Sequence, residues 1–166
     1  MAISYPATRL RRSRATGWSR EMVREHRLHP SDLIWPLFIA NGDVEEPVAS
    51  LPGVSRIPLS GLADKAKEAI DLGIPCLALF PNTPADRRSD DGEEAANPDN
   101  LMCSGIRAIK DAVGDAIGVL TDVALDPYTS HGQDGLLDAA GYVENDATVD
   151  ALVQQALNQA AAGSDI

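Results

Sequence analysis

Thr121-Asp122-Val123-Ala124-Leu125-Asp126-Pro127-Tyr128-Thr129-Ser130-His131-Gly132-Gln133-Asp134-Gly135 is the stretch whose reading decides the fold. Its first part reads as the end of a buried strand and its second as a loop. On a strand, Asp122, Ala124 and Asp126 share one face while Val123 and Leu125 take the other. Pro127 cannot continue a ladder and biases Asp126 toward an extended conformation, which ends the strand there. The pattern therefore predicts two acids on one face near a strand's carboxyl end. In parallel α/β folds that end is where active sites are built.

Working outward, the same unit repeats. Residues 32–39 read as a first buried strand, in which Pro36 suggests a strand end or bulge. Residues 74–80 read as a second strand and 117–126 as a third, so onsets recur about every 42 residues. Between them the spacing predicts helices. One is capped by Ser60, carries Leu62, Ala66, Ala69 and Ile70, and stops at Gly73; another runs Leu101–Val113. A third covers 148–162 and ends at Gly163, after which Asp165-Ile166 reads as the first step into a fourth strand. Residues 41–58 read as a loop or hairpin, and 81–98 and 127–147 as long loops.

Alternating βαβα with apolar strands implies a parallel sheet. No glycine-rich phosphate loop follows any strand. Long loops after strands and short turns before them fit a (β/α)₈ TIM barrel, which typically takes about 250 residues. With 166 residues, residues 31–166 are expected to form the first half of such a barrel, truncated at its fourth strand. Residues 1–30 are expected to be an extended N-terminal arm with a short helix capped by Ser19. The chain is read as the front half of a longer protein. Its unpaired edges predict that the isolated monomer does not melt cooperatively.

The net charge of −11 argues against nucleic-acid binding. Arg9, Arg11, Arg12 and Arg14 form a basic cluster near the start, suited to docking on an acidic protein partner. No apolar run reaches transmembrane length and no signal-peptide core is present, so a cytoplasmic protein without membrane association is expected. Cys76 and Cys103 read as reduced thiols used as small apolar residues.

These residues resemble one family. Arg11-Arg12-Ser13-Arg14, Met22-Val23-Arg24-Glu25, Asp32 through Phe38, Leu51 through Arg56, Leu72-Gly73-Ile74-Pro75, Leu79-Phe80-Pro81, Asn97-Pro98-Asp99, Asp122 through Gly135 and Asn145-Asp146 are similar, in order, to porphobilinogen synthase, also called 5-aminolevulinate dehydratase. The resemblance implies condensation of two 5-aminolevulinate molecules to porphobilinogen, with loss of water, in haem biosynthesis. It also implies a TIM barrel whose arm wraps a neighbouring subunit, in a homo-octamer.

The family uses strand-end lysines to form Schiff bases with substrate carbonyls. Lys65, Lys67 and Lys110 are the lysines here, and all fall on helices. A Schiff-base lysine needs a desolvated, strand-end environment, so the covalent catalysts are expected beyond Ile166. An acidic site for an activating magnesium, used by some members, is expected there too. In zinc-dependent members cysteines occupy the positions held here by Ala124, Asp126 and Asp134. No cysteine-ligated zinc is therefore expected, since a soft thiolate set has become two hard carboxylates.

The expected active-site lining is Asp122, Asp126, Asp134, His131 and Tyr128. Asp126 and Asp134 would bind or polarise a substrate amino group, directly or through water or a hard cation, with Asp122 deeper on the same face. His131, beside Gly132, also reads as a loop hydrogen-bonding residue, and Tyr128 as a packing residue. Asp90-Asp91-Gly92-Glu93-Glu94 reads as a solvated, mobile loop bordering the site. Two further readings stand beside the synthase: an inactive half-barrel that docks onto full-length subunits, and, with less support, another Schiff-base barrel such as an aldolase.

Overall fold

The structure is a computed structural model and describes residues 4–166. A five-stranded sheet organises it. Strand β1 (Ile34–Ala40) lies at its centre, followed in the chain by a short hairpin of β2 (Glu46–Pro47) and β3 (Ser55–Pro58). Strands β4 (Cys76–Asn82) and β5 (Gly118–Thr121) come later, and the spatial order is β2-β3-β1-β4-β5. β1 pairs in parallel with β4 over its full length, from Ile34 opposite Cys76 to Ala40 opposite Asn82. β5 adds in parallel to β4, and β3 in parallel to the end of β1. Only the hairpin pairing of β2 with β3 is antiparallel.

The crossovers are helices α2 (Leu62–Asp71) and α3 (Leu101–Val113). Leu62, Ala66 and Ala69 of α2 recur at helical spacing and are fully buried, as are Met102, Ile106 and Ile109 of α3. They cover Ile39, Leu77, Leu79 and Val119 of the sheet to form one core. A Cβ at Gly105 would sit 3.0 Å from Ile39 Cδ1 and 3.3 Å from Leu62 Cδ1, so glycine lets α3 approach β1 closely. Asn100 caps α3 by accepting from the Cys103 amide at 2.8 Å. Helix α4 (Asn145–Ala162) follows β5 and ends at Gly163, whose φ of +109° favours glycine.

Several expected details change. Ser60 does not cap α2: it lies in a 3₁₀ turn (Leu59–Gly61) leading into the helix, whose N-cap position, Gly61, offers no side chain. Ser19 does not cap helix α1 (Gly17–Met22). Thr16 occupies the cap position, and its amide donates to Ser19 Oγ at 3.3 Å from three residues back. Pro36 neither ends nor bulges β1. β3 pairs with β1 only from Phe38 onward, so on that side nothing calls for the missing proline N–H.

The third strand stops at Thr121, five residues before the expected end, because no neighbouring strand takes up the carbonyls beyond it. At its free edge, Thr121 N–H donates to Ile166 O at 2.9 Å and Ile166 N–H donates to Val119 O at 3.2 Å. This is the alternation of a parallel ladder. Residues 4–33 lie outside the sheet and are almost entirely exposed. Among the described residues no helix is long and apolar enough to cross a membrane.

Candidate active site

Because β1, β4 and β5 are parallel, the loops that follow them gather at one end of the sheet. There a cavity of about 280 Å³ opens. Its floor is aromatic: Phe38 of β1 and Phe80 of β4 are register partners with ring centroids 5.9 Å apart. Asp122, Asp126, Pro127 and Tyr128 form its wall, and Pro81 and Arg88 complete the lining.

Asp122 and Asp126 do share the cavity, though not as residues of one strand. The chain leaves regular secondary structure after Thr121, bends at Leu125 and turns through Asp126-Pro127-Tyr128. Leu125 O accepts from the amides of Tyr128 at 2.8 Å and Thr129 at 2.9 Å, and this turn carries Asp126. Desolvation pushes the Asp126 carboxyl above the usual carboxylate range, and a hydrogen bond and like charge from Asp134, then the charge of Asp122, push the same way. Asp134 thus stands beside Asp126 without lining the cavity itself. At Gly135, next to it, a Cβ would meet Val143 Cγ1 at 2.5 Å, so the loop carrying Asp134 packs tightly onto the segment before α4.

Tyr128 is 1 % exposed. Its ring borders the cavity and packs with Ala95 and Leu125 against Leu136, Ala151 and Leu152. Its hydroxyl is enclosed close to the Gln155 side chain without forming a hydrogen bond of good geometry, and burial raises its pKa far above that of a free tyrosine. His131 lies outside the cavity lining. Its Nδ1 accepts from the Gln133 amide at 3.1 Å, and Nε2 lies 3.1 Å from Asp90 O. A neutral ring protonated on Nε2 satisfies both contacts.

The loop containing Asp90 is exposed but tied down. Ser89 N–H donates to Tyr128 O at 3.1 Å and Ser130 N–H to Ser89 O at 3.0 Å, while Ser130 Oγ donates to Asp90 Oδ1. The loops after β4 and β5 are therefore joined beside the acids.

Several cavity residues were not anticipated. Phe38 and Phe80 could have been found, since each lies near the end of its apolar run. Arg88 could not, because nothing in a polar loop marks one arginine. Its Nε donates to Thr83 O at 3.0 Å. None of the three lysines lines the cavity. Lys65 pairs with Glu68 at 3.0 Å, Lys67 with Asp64 at 3.5 Å and Lys110 with Asp165 at 2.7 Å. Among the described residues no group of three or more His, Cys, Asp or Glu side chains could hold a metal ion. Cys76 and Cys103 are both buried away from the cavity lining.

An acid-walled, aromatic-floored cavity at the carboxyl end of a parallel sheet suits a small molecule bearing an amine. Residues 7–166 match the family profile described as delta-aminolevulinic acid dehydratase. The chain is 53% identical over 161 residues to the delta-aminolevulinic acid dehydratase of Bradyrhizobium diazoefficiens, covering 96% of this chain and 45% of that protein. It is 42% identical over 160 residues to the chloroplastic enzyme of Selaginella martensii, covering 96% of this chain and 38% of the relative. The crystal structure of the Toxoplasma gondii porphobilinogen synthase, in complex with its product porphobilinogen, superposes with a TM-score of 0.90 at 41% identity, over 95% of this chain and 45% of that one. The chain spans about half the length or less of these relatives, and its parallel sheet is part of a barrel. It belongs to the delta-aminolevulinic acid dehydratase family.

Proposed function

We propose that this chain supplies the amine-holding wall of a porphobilinogen synthase, which condenses two 5-aminolevulinate molecules with loss of water. The observation that carries the reading is the Asp126 carboxyl, exposed on the wall of an aromatic-floored cavity beside Asp122 and held above the usual carboxylate range by partial burial and by the like charges of Asp134 and Asp122. A substrate ammonium placed among them offsets the like-charge repulsion and favours the ionised carboxylates. A carboxylate beside that ammonium is also placed to accept its proton, leaving the nucleophilic amine. Phe38 and Phe80 keep water from one side, which strengthens each charge interaction.

Covalent capture of a substrate carbonyl needs a lysine of lowered pKa. Each lysine of this chain is paired with a carboxylate outside the cavity, so that step is assigned to residues outside the chain. A thiolate-held zinc does not fit Ala124, Asp126 and Asp134, because alanine carries no donor atom; no step is routed through a metal. A magnesium-dependent member with its cation held elsewhere is compatible with this wall. Assembly as a homo-octamer would use the exposed arm, where Leu10, Trp18 and Met22 are each at least 70% exposed.

The alternative reading, an inactive half-barrel that docks onto full-length subunits, draws on the same lysine pairings. A porphobilinogen assay comparing the purified 166-residue chain with the natural gene product tests both. Formation of porphobilinogen by the gene product, with none from a shorter chain, supports the proposal. Activity of residues 1–166 alone would overturn the placement of the lysines, and an inactive gene product would overturn the synthase reading.

A further inference from the structure

Helix α4 buries two polar side chains where an aliphatic face is the norm. Gln155 is fully buried and Gln159 is 2% exposed. Gln159 Nε2 donates to Asp122 O at 3.0 Å, and Gln155 Nε2 donates to Ala124 O at 3.0 Å. Gln159 Oε1 in turn accepts from Thr121 Oγ1 at 3.0 Å. The geometry matches by construction. Four residues of helix rise about 6 Å, and two residues of extended chain cover about 6.6 Å. Side chains at i and i+4 on the helix therefore meet alternate carbonyls of an extended segment. That segment leaves β5 with no neighbouring strand, and buried carbonyls need a partner. Asp122 O and Ala124 O find one in the glutamine amides, and Leu125 O finds one in the turn.

From this pairing we infer that Gln155 and Gln159 are positioning residues: their amides act as a strand edge carried on a helix and hold the segment that presents Asp122 and Asp126 to the cavity. The inference rests on the synthase reading for its kinetic consequence but not for its geometry. Methionine fills the glutamine's volume without its donor, whereas glutamate, kept protonated by burial, retains one. Hydrogen exchange on the protein and steady-state kinetics on the natural gene product test the idea in Gln155→Met, Gln159→Met and Gln155→Glu.

The expected result for each methionine variant is at least tenfold faster amide exchange across residues 122–130, with α3 unchanged. With it should come a KM for 5-aminolevulinate raised about tenfold while kcat changes less than threefold. Gln155→Glu should restore both, and Gln154→Met, on the exposed face of α4, should alter neither. A lowered kcat at unchanged KM would mean only less folded enzyme. That result, loss of the cooperative fold in both methionine variants, or unchanged exchange and KM would each overturn the proposal. If wild-type protein makes no porphobilinogen, the synthase reading fails while the exchange measurement still decides the geometry.

Discussion

Asp126 and Asp165 are both acids at the margins of β5, and the fold treats them in opposite ways. Asp165 has every partner it needs. Lys110 Nζ lies 2.7 Å from its Oδ2, and the same oxygen accepts from the Val119 amide at 2.8 Å. Chiefly through the Lys110 hydrogen bond, its carboxyl is held below the usual value of 3.8. Asp126, exposed like Asp165, is instead flanked by Asp134 and Asp122, and partial burial together with these like charges raises it above the same reference. One acid is paired with a cation inside the fold; the other is crowded by like charge on a cavity wall, an arrangement that the proposed amine would relieve.

The linkage signs follow. Asp165 has a depressed folded pKa, so its contribution is fully present above the reference value of 3.8 and is lost as pH falls from there through the lower folded pKa. Asp126 has a raised folded pKa, so its ionisation opposes folding, and stability falls as pH rises from 3.8 through its folded value.

The largest expected effect separates activity from stability. Asp126→Asn should lower kcat/KM for porphobilinogen formation on the order of 100-fold, while its melting temperature at neutral pH stays level or rises. A variant that lost both together would break the contrast. Next in size, Asp165→Asn should cost about 1–2 kcal/mol in urea unfolding, since it removes a charge-assisted bond and a partly exposed ion pair. Its kcat per folded molecule should be unchanged. Chemical unfolding as a function of pH sharpens the comparison further. The deficit of Asp165→Asn should shrink as pH drops below 3.8, whereas any gain of Asp126→Asn should appear only above it. The smallest effect belongs to Tyr128→Phe, which removes a buried hydroxyl that makes no hydrogen bond of good geometry. Stability should move by no more than about 0.5 kcal/mol, and a large loss of kcat would give that hydroxyl a catalytic role.

Much of this architecture is written in apolar spacing. The pattern that predicts Leu101–Val113 matches α3 residue for residue, because its aliphatic face meets a sheet and nothing competes. The runs at β1 and β4 are equally clear, with ends displaced by two residues or fewer. The apolar pattern runs past the end of the third strand because the sequence does not show what satisfies a carbonyl. An extended segment held by glutamines reads like one held by a neighbouring strand. Gln155 and Gln159 carry no signal for the same reason, since polar residues on a helix suggest solvent. The acids at Asp122 and Asp126 were legible from their place at a strand's end. The joining of Ser89 to Tyr128 and Ser130 was not, because contacts some 40 residues apart leave no local period.

The central claim is that the acid wall recognises an amine. Calorimetric titration of the natural gene product with 5-aminolevulinate and with levulinate, the same molecule without its amino group, measures that directly. The account predicts that the amine-bearing ligand binds at least tenfold more tightly, and that Asp126→Asn abolishes the difference. An equal affinity for the two ligands in the wild type, or an undiminished preference in the variant, would contradict it.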